Sequence, residues 1–333
     1  MSARDFFKVV VGIAGSTVIA GSAFADELTF FSPVSEKRPS SAYMRDFAAK
    51  AEELSGGDVQ FQMNYPGSLG IEVSDLLRHL KRGFVGAGGV YGPYYNRDAP
   101  TITAAYVEGA ISNFAAHEAA VPVIEGIYQQ TFDKWGIEYV GYVQPPLFDV
   151  SLFCKEPVST LEGLKDKKLR VWTAHQLETF TRLGISAQII PQTEMYVALQ
   201  TGVIDCTIYL GEVAPLMSLD EVAPNESYIF PFASIPVALG ISSRKMAGLA
   251  DGERKAIRDA GQWISEHSLR AELEKAGGKE EARKARAEQG FTQLPAFSDE
   301  DLAKIVTTAR EVWLEMAEKA GPESVEAYNL LTK

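Results

Sequence analysis

The sequence predicts an α/β protein built from two domains. Three observations lead there. Short strand-like segments alternate with helix-like ones along most of the chain, 333 residues exceed what one hydrophobic core comfortably fills, and neither an internal repeat nor a low-complexity tether divides the chain. Alternation of this kind implies mostly parallel sheets, and the missing tether implies domains joined by strands.

The first element is an export signature. Arg4 and Lys8 form a positive n-region, "VVVGIAGSTVIAG" an apolar core, and Ala23-Phe24-Ala25 a small-x-small cleavage site. Residues 1–25 are therefore expected to be a signal peptide cut after Ala25, which places the mature protein in the periplasm. The apolar run is short and glycine-rich for a membrane span; a buried N-terminal helix is the other reading. The first cysteine is Cys154, so no lipid-bearing cysteine follows the cut.

The mature chain opens with "ELTFFSP", a strand, and the helix "AYMRDFAAKAEELSG", started at Ser40-Ser41 and stopped by Gly56-Gly57. "VQFQMNY" alternates as a strand with Val59, Phe61 and Met63 on one face. "EVSDLLRHLKRG" has Val73, Leu76, Leu77 and Leu80 at helical spacing and ends at Gly83. "GFVGAGGVYGPYY" follows as a strand running into a loop. Further on come the strand "DVSLFC", the short helix or turn "STLEGLKD", the strand "KKLRVW", the helix "LETFTRLG" and the strand "SAQIIP". "TEMYVALQTG" reads as a threonine-capped helix, and "VIDCTIYL" and "IPVALGISS" as strands. From about Leu249 the chain is helical to Gly277-Gly278, followed by a basic helix, the brief strand "GFTQLPA", and a long last helix with Ser298 and Asp301 as a capping box.

Once the signal peptide is removed, 30 basic and 43 acidic residues remain. That acidic balance argues against nucleic acid or an anionic membrane as partner, though a local site for an anion remains open. Cys154 and Cys206 are either a disulfide, which the export compartment permits, or small buried thiols in strands.

Catalytic and cofactor motifs are thin. Gly86, Gly88 and Gly92 give G-x-G-x-x-x-G, one residue off the dinucleotide fingerprint, and Pro93 removes an N–H that a phosphate cradle would use. Glu108 stands at a plausible distance for a ribose-binding acid, but exported proteins rarely meet free nicotinamide nucleotides. The glycines fit better as a slim strand end followed by Tyr91, Tyr94 and Tyr95, which either wall a ligand site or pack a domain surface. His79, His117, His175 and His267 are isolated, with no metal-ligand spacing and no visible nucleophile partner. No catalytic residue, metal or cofactor is expected. In "KKLRVW" the strand period puts Arg170 and Trp172 on one face, a guanidinium beside an indole that can clamp a carboxylate and pack its organic part. Taken alone, Arg170 also fits a surface or structurally paired arginine.

"KKLRVW" followed by "IIPQTEMYVALQTGVID", with "YPGSLG" and "LEGLKDKKLR", resembles the substrate-binding subunits of the tripartite ATP-independent periplasmic (TRAP) transporters, from "ELTFFSP" to the last helix. The resemblance implies a two-lobed, type II-like periplasmic binding fold with hinge strands and a long helix spanning both lobes. Lobe I would hold 26–148 plus about 236–275, and lobe II 149–235 plus about 276–333, with the ligand cleft between them. It implies Arg170 as the carboxylate clamp and Trp172, Tyr91, Tyr94, Gln192 and Tyr209 as further ligand contacts. Val150 takes a place where sialic-acid-binding members carry a second arginine, which speaks against that ligand. The implied function is capture of an organic carboxylate by a monomer that delivers it to membrane permease subunits. A binding protein of another transporter or of a signalling system, and more remotely a periplasmic enzyme, are the alternatives.

Overall fold

The computed structural model describes residues 26–332 except 112, 233, 277 and 278. The expected signal peptide, its cleavage after Ala25 and the Gly277-Gly278 helix stop lie outside the described residues.

Two mixed sheets form the frame. The first has the order β2-β1-β3-β10-β4, from β1 (Asp26–Phe31), β2 (Val59–Asn64), β3 (Ala87–Val90), β4 (Ile137–Val143) and β10 (Val237–Ser242). The second has the order β11-β9-β5-β8-β6-β7, from β5 (Phe148–Cys154), β6 (Lys168–Val171), β7 (Ser186–Ile189), β8 (Cys206–Leu210), β9 (Asn225–Phe232) and β11 (Thr292–Gln293). The expectation of mostly parallel sheets is corrected by two strands. β10 runs antiparallel to both β3 and β4, and β5 antiparallel to both β8 and β9. Both follow short connections from the opposite sheet, so they enter from its far end and run against their neighbours.

The main helices are α1 (Pro39–Ser55), α2 (Leu76–Arg82), α3 (Phe114–Trp135), α4 (Ala174–Arg182), α5 (Gln192–Thr201), α6 (Asp251–Ala276), α7 (Lys279–Glu288), α8 (Asp299–Ala320) and α9 (Pro322–Leu331). Ser298 caps α8 by accepting from the Asp301 N–H at 3.1 Å. α5 starts two residues earlier than a cap at Thr193 would place it, and Pro191 holds the cap position. The strand period of two splits the first sheet cleanly: Phe30 packs with Phe47, Leu239 and Ile257 on one face, Phe31 with Leu76, Tyr128 and Phe132 on the other. Covered on both faces, the inner strands β3 and β10 are near-continuous apolar runs, whereas the edge strand β2 alternates, with Gln60 and Gln62 exposed. The second sheet has its own core around Leu152, Phe153, Leu169 and Ile208, which also buries Val150. α8 belongs to both lobes, with Ile305 in the second core and Ala309 and Trp313 in the first.

β4 is one edge of its sheet, and α6 closes it. The Tyr142 N–H donates to Ser265 Oγ and the Gln144 N–H to Ser268 Oγ, each at 2.9 Å. Such an approach needs Gly261, where an added Cβ would lie 1.8 Å from the Val140 carbonyl oxygen. The two cysteines form a disulfide with Cα atoms 4.1 Å apart, joining directly opposed positions of β5 and β8.

Candidate ligand-binding site

A cleft of about 990 Å³ opens between the sheets, and all six residues singled out from the sequence line it: Arg170, Trp172, Tyr91, Tyr94, Gln192 and Tyr209. Strand geometry brings Arg170 there. It sits near the carboxyl end of β6, inside the second sheet, where ligands of open α/β sheets collect.

Arg170 is only 1 % exposed. Its Nε donates to the Ile190 carbonyl at 2.9 Å and its Nη1 to the Ile208 carbonyl at 3.5 Å. The guanidinium carbon lies 5.7 Å from the ring centres of both Trp172 and Tyr209. Among the described residues no carboxylate is within ion-pair reach of it, and burial pushes its pKa down to about 10. The cation is thus held by carbonyl dipoles and ring faces, with no counter-charge of its own. The Tyr209 hydroxyl next to it is buried and makes no hydrogen bond, and burial raises its pKa, an effect that Arg38 and Arg170 oppose.

The opposite wall comes from the glycine-rich stretch. Gly88, Gly89 and Gly92 leave no room for a side chain: an added Cβ would lie 2.8 Å from the Phe31 carbonyl oxygen, 2.9 Å from Pro33 and 2.6 Å from the Ile102 carbonyl oxygen. Their role is close packing of β3 and of the turn after it. Tyr91 and Tyr94 then meet edge to face at 5.1 Å on the cleft wall. Tyr95 turns away into the core, where its hydroxyl donates to the Val73 carbonyl at 2.9 Å. Gln192, at the start of α5, reaches the Met217 sulfur at 3.2 Å on the rim.

Several groups at the cleft were not legible as such. His175, isolated in sequence, brings Nε2 to 2.5 Å from Glu108 Oε2, joining the start of α4 to the first lobe. Tyr91 links the same carboxylate, 3.4 Å away, to Ser234 Oγ at 3.2 Å. Arg38, at the start of α1, lines the cleft from the first lobe. On the rim, Arg182 pairs with Glu178 and with Glu315, both at 2.8 Å, and Lys319 lies near Glu315. No group of three or more His, Cys, Asp or Glu able to hold a metal ion occurs among the described residues. The arrangement suits recognition of a small anion with apolar or ring-shaped bulk.

The chain matches the model of the bacterial extracellular solute-binding proteins, family 7 (DctP), over residues 31–320. A solute-binding protein of Sulfitobacter sp. (strain NAS-14.1) is 29 % identical over 63 % of the chain, a match spanning 61 % of that protein. The chain thus spans about three fifths of the length of this curated relative. The crystal structure of DctP7, an extracytoplasmic solute receptor of Bordetella pertussis binding pyroglutamic acid, superposes with a TM-score of 0.74 at 19 % identity, covering 92 % of this chain and all of that one. A TRAP periplasmic solute-binding protein of Sulfitobacter sp. with bound α-D-taluronate superposes with a TM-score of 0.72 at 23 % identity, covering 93 % and 97 %. This chain belongs to the family 7 extracellular solute-binding proteins.

Proposed function

We propose that this family 7 protein is a periplasmic receptor that captures a small organic carboxylate between its lobes and delivers it to the membrane subunits of a TRAP-type transporter. It acts as a monomer, without turnover and without a nucleic acid partner. One observation carries the reading: Arg170 is a buried cation on the cleft wall with no carboxylate partner among the described residues. A buried charge is costly unless it is paired, so the missing counter-charge is expected to arrive with the ligand. The relatives' ligands, pyroglutamic acid and taluronate, each carry one carboxylate.

In this reading the ligand carboxylate pairs with the free edge of the Arg170 guanidinium and takes a hydrogen bond from Tyr209. Trp172, Tyr91 and Tyr94 cover its organic part, and Gln192 contributes a polar contact at the rim. The lobes, 26–148 plus about 236–275 and 149–235 plus about 276–333, with α8 and α9 of the last segment packed also on the first lobe, close by bending at the segments that join the sheets. Closure is a population shift, favoured only to the extent that the ligand binds the closed form better. The test is a thermal-shift screen of Asp26–Lys333 against organic acids, uronates and pyroglutamate included, with Arg170→Ala beside it. A melting shift with one acid class that is lost in the variant supports the proposal. A shift that survives in the variant refutes it.

A further inference from the structure

One buried contact joins the lobes independently of Arg170. Glu108 stands on a segment of the first lobe that α8 braces at both ends. Trp313 Nε1 donates to the Ala104 carbonyl at 2.7 Å, and Arg310 Nε to the Ala110 carbonyl at 3.0 Å. Val107 and Ala110 are buried in the first core. Gly109, at φ +88°, turns the chain against Phe230 of the second core, so close that an added Cβ would lie 3.3 Å from its ring. The Glu108 carboxylate is thus held at a fixed place where the lobes meet.

Its partner comes from the other lobe. His175 lies in the first turn of α4, after Arg170 and Trp172 on the same run of chain. Glu108 is 6 % exposed and His175 8 %. Glu108 Oε2 is buried, and apart from His175 Nε2 at 2.5 Å it has no hydrogen-bond partner among the described residues. A sealed carboxylate oxygen is costly unless a partner meets it. The first turn of α4 holds no acid of its own, so Glu108 also brings the negative charge that a helix start favours.

The other oxygen faces the cleft wall. The Tyr91 hydroxyl donates to Glu108 Oε1 at 3.4 Å and lies 3.2 Å from Ser234 Oγ, on the crossing between β9 and β10. The Ser234 carbonyl accepts from Gln144 Nε2 at 3.2 Å, on the crossing between β4 and β5. One polar chain therefore runs from the contact between the lobes, past the cleft wall, to both segments that join the sheets.

We propose that Glu108 is a positioning residue for closure: with His175 it forms a latch between the lobes, which Tyr91 ties to the cleft wall and to both crossings. The inference rests on the capture reading above. Glu108 is not among the residues that line the cleft, so it acts without touching the ligand, by favouring the closed arrangement. Opening parts the pair and lets water meet both groups. A latch of this kind slows release and leaves encounter unchanged.

Pulsed double electron–electron resonance on Asp26–Lys333, labelled at the exposed positions Glu52→Cys and Glu162→Cys, reads the distance between the lobes. Surface plasmon resonance reads the rates, with pyroglutamate and galacturonate as probes. Glu108→Gln keeps the shape of the side chain and removes its charge. It is expected to shift the open-to-closed ratio about tenfold toward open, and to raise the dissociation rate of a bound probe about tenfold at an unchanged association rate. His175→Gln is expected to do the same, and the double variant to be no worse than the worse single one, as for two residues acting as a pair. A purely structural role would lower the melting temperature and leave the closed fraction and the dissociation rate where they were. Equal distance distributions in the parent and Glu108→Gln overturn the latch, and so do losses that simply add in the double variant. If neither acid binds the parent, that counts against the carboxylate reading, and the distances measured without a probe alone uphold or overturn the latch.

Discussion

Replacing Arg170 by methionine should abolish ligand response while leaving the empty protein about as stable as before. The side chain is 1 % exposed, and its pKa is pushed down to about 10 because burial disfavours the charged form. That drop corresponds to about 3 kcal/mol of penalty. Against it stands the bond to the Ile190 carbonyl at 2.9 Å, of the charged kind that contributes about 1.5–3 kcal/mol, with the 3.5 Å contact to Ile208 adding little. The two terms nearly cancel, and methionine fills similar volume among Trp172 and Tyr209 without a charge. Binding has no such compensation. Losing a bidentate, charge-assisted pair costs about 3 kcal/mol, on the order of a hundredfold in Kd. A ligand at a hundred times its Kd stabilises by about 2.7 kcal/mol, and the same concentration would then add only about 0.4 kcal/mol. Differential scanning fluorimetry of both proteins, with and without ligand, reads both effects at once. An empty variant that melts many degrees lower and still responds to ligand would show that Arg170 is a structural strut and that this reasoning fails.

Four further outcomes follow from other parts of the fold. Arg286→Ala should cost about 3–5 kcal/mol in chemical denaturation, because it strands the buried Glu226 that Arg286 grips through Nε at 2.9 Å and Nη2 at 2.8 Å. Removing the Cys154–Cys206 bond, whose ends are 52 residues apart, should cost about 4 kcal/mol on chain-entropy grounds, seen as a lower melting temperature under reductant or in the double Cys→Ala variant. Gly261→Ala should destabilise by about 1–3 kcal/mol despite the better helix propensity of alanine, since its Cβ meets the Val140 carbonyl oxygen; a variant as stable as the parent would contradict the close approach of α6 to β4. His117 is buried beside Gln144, its Nε2 2.9 Å from Oε1, and burial lowers its pKa below 6.5. The unfolded chain therefore takes up the proton first, so this part of the stability is complete above about pH 6.5 and is lost as pH falls through the lower folded value. His117→Asn should flatten the melting profile across that window.

The parts of the site legible in sequence were those set by local period. Alternation within "KKLRVW" places Arg170 and Trp172 on one face, and the ring stands 5.7 Å from the guanidinium. Tyr91 and Tyr94 follow a strand whose glycines mark close packing. The missed parts depend on distant partners. His175 looks isolated because Glu108 lies in another lobe, and Arg38 is only an arginine before a proline until α1 is seen to open onto the cleft. In the fold, periodicity assigned nothing between Tyr95 and Phe148, although α3 and β4 lie there, nor at β9. α3 carries alanines, a glycine and a proline in place of a sharp apolar stripe, and its buried face is defined by what packs on it. The cysteine pairing was likewise open, because it depends on the register of β5 against β8.

The two most buried arginines show why a partner, and not burial, separates scaffold from site. Arg286 is 2 % exposed and Arg170 1 %. Both are desolvated to a similar degree, so burial alone does not tell them apart. Arg286 faces Glu226 at 2.8 Å and Asp149 at 3.6 Å, and these carboxylates raise its pKa in spite of burial. Its charge balance is closed, so its work is to pin α7 to the second sheet. Arg170 has carbonyl oxygens and two rings, and its pKa falls. A fold needs the first arrangement for stability. The second offers no stability that a neutral side chain could not match, and it sits on the wall of the cleft between the sheets, which supports the role proposed for Arg170 in holding the ligand's carboxylate.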